Sequence, residues 1–150
     1  MYKFLRILTL CLLVSGPVWS SEKTDVMAAV HQIVEAFNKG DSKAFLSACS
    51  DQTSIVDEFA PHEWHGTAGC SKWMSDYAIY AQKTEIADAV TTLGAPKRVI
   101  VSGDDAYVVV SAKCVYKQGG KAINESVIVT TALHKGDSRW RLTGWTWARL

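Results

Sequence analysis

The sequence predicts an α+β domain in which helices come first and a sheet follows. Three observations carry this. Apolar residues recur at helical spacing up to Ala81, apolar and polar residues alternate from Val90 onward, and Gly- and Asp-rich turns cut that second half into hairpins. No repeat, low-complexity tract or linker divides the chain.

Val26, Val30, Ile33 and Phe37 fall on one face of a first helix, with Thr24 as its N-cap and Gly40 as its stop. Asp41 then caps a short second helix with the apolar face Ala44, Phe45, Ala48 and Cys49. Ser54 to Phe59 reads as a short strand. Pro61 interrupts it, and a loop carries His62, Glu63, Trp64 and His65 to Gly66. Thr67 caps a third helix whose shared face holds Cys70, Trp73, Tyr77 and Ala81. The next run, Val90 to Val101, is broken at Gly94-Ala95-Pro96, which predicts a bulge or an edge strand. Turns at 103–105, 118–120 and 135–138 then join it to three further strands as an antiparallel meander. On the last strand, strict alternation puts Trp145 and Trp147 opposite Trp140 and Leu142.

The first twenty residues read as a leader rather than as part of the fold. Lys3 and Arg6 precede the apolar run Ile7–Val14, Ser15-Gly16-Pro17 breaks it, and Val18-Trp19-Ser20 offers a cleavage site. The run is shorter than the roughly 20 residues that span a bilayer. Cleavage after Ser20 predicts a periplasmic or secreted domain of residues 21–150 with no stable membrane insertion. Lys3 and Arg6 leave with the leader, so 14 of 16 basic residues remain against 15 acidic, a net of −1. A neutral chain excludes a strongly basic nucleic-acid binder, and 48% hydrophobic content with 6 Trp excludes disorder.

Export leaves Cys49, Cys70 and Cys114, an odd number in an oxidising compartment. One bridge and one free thiol allow three pairings, and three buried thiols are the alternative. Cys49–Cys70 is preferred, because both sit near helix ends around one connection, while Cys114 lies inside a strand.

The sharpest chemical feature is Asp57-Glu58 at the end of an apolar strand. Alternation puts Asp57 on the face of Ile55 and Phe59, where partial desolvation raises a carboxylate toward general-base duty. A strand-end acid bonded to a nearby amide or Arg is the structural alternative. His62 and His65 share a His-x-x-His spacing, but a Pro-containing loop need not converge two imidazoles and no third ligand is marked, so no metal is expected. They suit a polar lip over a pocket, as proton partners of Asp57. Phe59, Trp64, Trp73 and Tyr77 are the candidate ligand-binding aromatics. His31 and His134 read as surface or structural residues, and Asn124-Glu125-Ser126 matches a glycosylation acceptor on three residues alone.

Phe37-Asn38-Lys39-Gly40-Asp41, the Asp57 strand, Gly66-x-x-x-Cys70 and the meander ending in Trp140-Arg141-Leu142 together resemble the nuclear transport factor 2-like superfamily. Within it the SnoaL-like and ketosteroid-isomerase-like branch is the most similar, over residues 25–149. Residues 54–66 also resemble a group of exported members, a likeness that lends no chemistry. The resemblance implies a curved, cone-like antiparallel sheet wrapped around the three helices, a deep apolar pocket and frequent dimerisation through the outer sheet face. It places Asp57 at the isomerase's proton-shuttling aspartate. The isomerase's oxyanion-hole tyrosine is matched by Ile33 and its oxyanion-hole acid by about Thr130, so steroid isomerisation is not expected.

Three functions follow in order. The first is a cofactor-free binder of a small apolar or aromatic molecule. The second is an isomerase, lyase or hydrolase with Asp57 as base, and the third a dimeric interaction module. A homodimer is expected through Val109, Ile128, Thr130 and Trp147 as an apolar outer stripe.

Overall fold

The computed structural model describes residues 18–150. Three helices, α1 (Val18–Asn38), α2 (Ser42–Ala48) and α3 (Gly69–Lys83), pack on one face of a six-stranded sheet. Its strands are β1 (Cys49–Val56), β2 (Glu63–Trp64), β3 (Ile86–Ser102), β4 (Asp105–Gln118), β5 (Lys121–Gly136) and β6 (Arg139–Arg149), in the spatial order β2-β1-β6-β5-β4-β3. The α+β class and the β3–β6 meander are as the sequence predicts. The sheet as a whole is mixed, because β1 runs parallel to β6 while every other neighbouring pair is antiparallel.

Helix α1 buries Val26, Val30, Ile33 and Ala36, the apolar stripe that the 3.6-residue period lays along one side. It begins well before Thr24, which lies inside the helix rather than at its cap. Residues 1–17 of the expected leader lie outside the described residues, and Val18–Ser20 form the first turn of α1. Asp41 caps α2 as expected, its Oδ1 accepting from the Ala44 amide at 2.9 Å. Cys49 is the first residue of β1 rather than the last of α2. Asn38 clamps the end of α1 to β3: its Nδ2 donates to the Thr91 carbonyl and its Oδ1 accepts from the Thr91 amide, both at 2.8 Å.

Two strand boundaries differ from the sequence reading. Strand β1 starts five residues earlier than Ser54 and stops at Val56, so Asp57 to Phe59 form a turn. The 61–66 segment is also not a plain loop, because Glu63 and Trp64 pair with Val56 and Ile55 as β2. Thr67 does not cap α3; Ala68 occupies that position without a side-chain bond. Gly69 opens the helix because a Cβ there would lie 2.5 Å from the Thr53 carbonyl oxygen.

The Trp pattern on β6 departs most from simple alternation. The register passes from Leu133↔Leu142 to Ala132↔Gly144, leaving Thr143 unpaired. This one-residue bulge resets the phase, so Trp140, Leu142, Trp145 and Trp147 all face the helices. Trp147 therefore leaves the predicted outer stripe and packs against the core. Further register shifts around Pro96, on edge strand β3, mark the predicted interruption and bend the sheet around the helices. The β4–β5 turn uses Gly119 and Gly120 at φ +54° and +78°, the left-handed pair that a tight two-residue hairpin requires.

Candidate functional site

Between the helices and the concave sheet lies a cavity of about 110 Å³. Its walls come from α1 (Val34, Phe37), α3 (Trp73, Tyr77, Tyr80), the β1–β2 turn and β3 to β6. The rings touch one another: Trp73 stacks on Tyr77 with centroids 5.5 Å apart, Phe37 meets Tyr77 edge-on at 5.2 Å, and Trp145 meets Trp73 edge-on at 4.6 Å. Phe59 stacks on Tyr80 at 5.0 Å. Apart from hydroxyls, one thiol and the indole N–H groups, of which that of Trp145 is buried without a partner, the polar lining consists of Asp57, Glu58, Glu125 and Arg149.

Asp57 reaches this wall because it directly follows β1, on the side of buried Ile55 and Phe59. Its Oδ2 accepts the indole N–H of Trp73 at 2.9 Å and its Oδ1 the Glu58 amide at 2.7 Å. Burial pushes the Asp57 carboxyl above its ordinary pKa, against the opposing pull of those two hydrogen bonds. The neighbouring Glu58 charge also raises it, and Arg149 lowers it. Tyr77 is pushed up to about 12, first by burial and then by the charges of Cys114, Asp57 and Tyr80, so its hydroxyl keeps its proton. Tyr116 is likewise pushed up to about 12 by burial and by donating to Glu125 Oε1 at 2.7 Å. At the rim Arg149 bridges two acids. Its amide and Nε bond Glu58, and its Nη1 lies 3.1 Å from Glu125 Oε1.

The sign of the Asp57 shift gives a test. A carboxyl whose folded pKa is raised stabilises the fold fully below its unfolded pKa, and that contribution is lost as pH rises through the folded value. The Asn variant keeps the shape and has no such loss. Asp57→Asn is therefore expected to gain stability over the parent as pH rises from the ordinary aspartate value through the raised one, with a constant difference above it. Urea midpoints of both proteins across acid and neutral pH check this, and parallel curves would contradict it. Glu58, Glu125, Arg149, Tyr77 and Cys114 line the same cavity in both proteins, so the comparison varies the Asp57 carboxyl alone.

The candidate residues divide. Asp57, Phe59, Trp73 and Tyr77 line the cavity. His62 and His65 do not. The exposed His62 ring faces the Asp57 backbone carbonyl at 3.2 Å, not its carboxylate, and His65 lies by Ser54 Oγ at 3.2 Å and Glu63 Oε2 at 3.3 Å. Pairing of β2 with β1 turns that segment along the sheet edge instead of over the mouth. Trp64 is buried behind Phe59, with its indole N–H donated to Asp76 Oδ2 at 2.8 Å, and so is core rather than lining. The sequence reading missed Tyr80, Tyr116, Glu125 and Arg149. Tyr80 lies one turn after Tyr77 on α3, a signal that helical spacing offered; the others converge only through sheet register. Cys49 and Cys70 are joined, with Cα atoms 6.6 Å apart, and Cys114 is a buried free thiol bonded by Thr91 Oγ1 at 3.7 Å. Ile33 is sealed in the core, and Thr130 lies between two inward-facing residues of β5, Val129 and Thr131, and so points outward.

Comparison with known proteins agrees with this architecture. A ketosteroid isomerase-like protein from Erwinia carotovora atroseptica SCRI1043 superposes with a TM-score of 0.69 at 16% identity, over 88% of this chain and 98% of that one. The hexachlorocyclohexane dehydrochlorinase LinA-type3 from Novosphingobium barchaimii LL02 gives 0.73 at 13% identity, over 87% of each chain. An NTF2-like protein with a cystatin-like fold from Novosphingobium aromaticivorans gives 0.68 at 15%, over 87% of this chain and 83% of that one. At such identities the likeness is one of fold. No curated protein matches the chain. The model of the SnoaL-like domain matches residues 26–146, and with the curved sheet, the three helices and the cavity between them it places the chain in the SnoaL-like domain family.

Proposed function

We propose that the protein is exported and binds a small apolar or aromatic molecule in the Asp57 cavity. The observation that carries this is the cavity's composition: a wall of aromatic rings beside the half-buried Asp57 carboxylate, which is held by an indole N–H. Its volume of about 110 Å³ compares with the roughly 150 Å³ cavity that accepts benzene. Export is supported by the leader pattern of residues 1–20 and by the Cys49–Cys70 bridge, which persists in oxidising compartments. Trp73, Trp145 and Trp147 wall the cavity, so phenol and toluene are expected to change tryptophan fluorescence saturably. No saturable change up to the probes' solubility would count against the reading.

The second reading is an enzyme with Asp57 as general base. The raised carboxyl favours it, because a base is most effective with its pKa near the working pH. Ile33 and Thr130 supply no donor to a developing oxyanion; Tyr77, which lines the same cavity and keeps its proton, is the candidate donor. With a turned-over substrate in hand, Asp57→Asn would lower the rate by orders of magnitude, whereas a binder of neutral ligands would lose little affinity.

The protein is also proposed to form a homodimer through the convex sheet face. There Val90, Ile100, Tyr107 and Val115 stay exposed on β3 and β4, beside Val109. Sedimentation at tens of micromolar, a range that captures moderate affinities, is expected to show a dimer. A monomer there refutes it.

A further inference from the structure

We infer that the ligand of the Asp57 cavity carries a positive charge and that the site is built for a small organic ammonium ion. This rests on the reading of the cavity as the ligand site and names the chemistry of what enters it. The first observation is a charge imbalance. Three carboxylates, Asp57, Glu58 and Glu125, line the cavity against one guanidinium, Arg149, and no lysine or histidine. Arg149 is already committed to Glu58 and Glu125. Among the described residues no cationic side chain pairs with Asp57, whose two bonds come from neutral donors, the Trp73 indole and the Glu58 amide. Asp57, bonded to the Trp73 indole, is thus the one lining acid without an ion pair of its own; Arg149 acts on it only from its pairs with the other two.

The second observation is the material of the wall. Phe37, Phe59, Trp73, Tyr77, Tyr80 and Trp145 all line one small space, packed against one another. Aromatic rings attract cations through their quadrupoles, Trp most strongly, and desolvation enlarges the attraction. An ordinary apolar ligand gains from the rings but strips water from Asp57 without replacing it. An anion is repelled by the excess of carboxylate over guanidinium charge. An alkylammonium ion satisfies both features, because its methyl groups fill the apolar space while its charge faces Asp57 and the rings together. Burial already opposes the ionised form of Asp57, and a cation in contact reverses that.

The discriminating pair is choline and its uncharged isostere dimethylbutanol, in which a quaternary carbon replaces the ammonium nitrogen. The two share shape and hydroxyl and differ in charge. Binding to the intact protein at neutral pH is followed by tryptophan fluorescence and by calorimetry. Choline is expected to bind at least about ten-fold tighter, the order of advantage that a desolvated cation–π contact gives. In Asp57→Asn that advantage is expected to shrink toward parity while the isostere's affinity holds. Equal or tighter binding of the isostere to the parent overturns the cationic ligand and leaves the cavity as an apolar site. A choline preference that survives Asp57→Asn unchanged overturns the role of Asp57 in it. If neither probe binds at tens of millimolar, the cationic ligand is overturned, and the phenol and toluene titrations decide separately whether the cavity is a ligand site.

Discussion

Replacing Trp73 by alanine is expected to cost about 3–5 kcal/mol of stability, the range for removing a large buried aromatic from a packed core. Trp73 is 2% exposed and belongs to the core cluster that holds Phe45, Ile55, Phe59, Leu142 and Trp145. Its ring stacks on Phe45 at 5.7 Å and Tyr77 at 5.5 Å, and meets Trp145 edge-on at 4.6 Å. An alanine leaves all three partners facing a void and strips the Asp57 carboxylate of its indole donor. Trp73→Phe separates the two losses. It keeps an aromatic ring in the stack and removes the N–H, so a smaller cost is expected, about 1.5–3 kcal/mol for a lost hydrogen bond to a charged group. That bond lowers the Asp57 pKa, so the Phe variant is expected to carry Asp57 still higher. Urea unfolding of the three proteins measures the costs, and carboxyl chemical shifts across pH measure the second effect. An alanine variant within about 1 kcal/mol of the parent would remove Trp73 from the centre of this core.

Those consequences show why part of the site was readable in the sequence. Trp73, Tyr77 and Cys70 announce themselves by helical spacing, and Asp57 by its place beside Ile55 and Phe59, since both patterns are local. A helix period or a strand period needs only neighbours in the chain to fix which side chains share a face. Arg149, Glu125 and Tyr116 enter through pairing between strands instead. Cys114↔Glu125 and Val127↔Arg149 are register facts, and register is set by turns and bulges rather than by any one segment's pattern. The bulge at Thr143 is the plainest case. One unpaired residue moves Trp145 and Trp147 onto the face of Trp140 and Leu142, and the strand-interior Gly144 beside it is the mark that the sequence carries. His62 and His65 failed as cavity residues for a related reason. A two-residue strand, Glu63–Trp64, was too short to be seen as one, yet its pairing to β1 fixes where the whole segment points. The SnoaL-like family resemblance supplied the curvature that local patterns could not, and the structure carries it in the register shifts of β3 and β6.

Reducing the Cys49–Cys70 bridge is expected to lower stability by about 3 kcal/mol, because the cross-link closes a loop with a sequence separation of 21 and so restricts the unfolded chain. The position of the loop adds a local consequence. It encloses all of β1, the Asp57 turn, β2 and the Gly66–Ala68 approach to α3. One end anchors the strand that delivers Asp57, and the other lies one helical turn before Trp73, whose N–H that carboxylate accepts. Without the bridge the two sides of the Asp57–Trp73 bond are joined by noncovalent contacts alone: α3 packed on β1, Gly69 seated on the Thr53 carbonyl, the Trp64–Asp76 hydrogen bond and Phe59 against the α3 rings. Loosening is therefore expected first at this wall of the cavity, before the β3–β6 meander. Urea midpoints with and without reductant give the global cost, and a Cys49→Ser, Cys70→Ser double variant should reproduce it. Hydrogen exchange should show faster opening of the Trp73 indole while the amides of Val108, Val110 and Val129 remain protected. Cys114 is buried with its thiol pKa raised by that burial, so native-state alkylation counts only the two released sulfurs. Midpoints that agree within about 0.5 kcal/mol, or a peptide map joining Cys114 to either partner, would overturn the assignment.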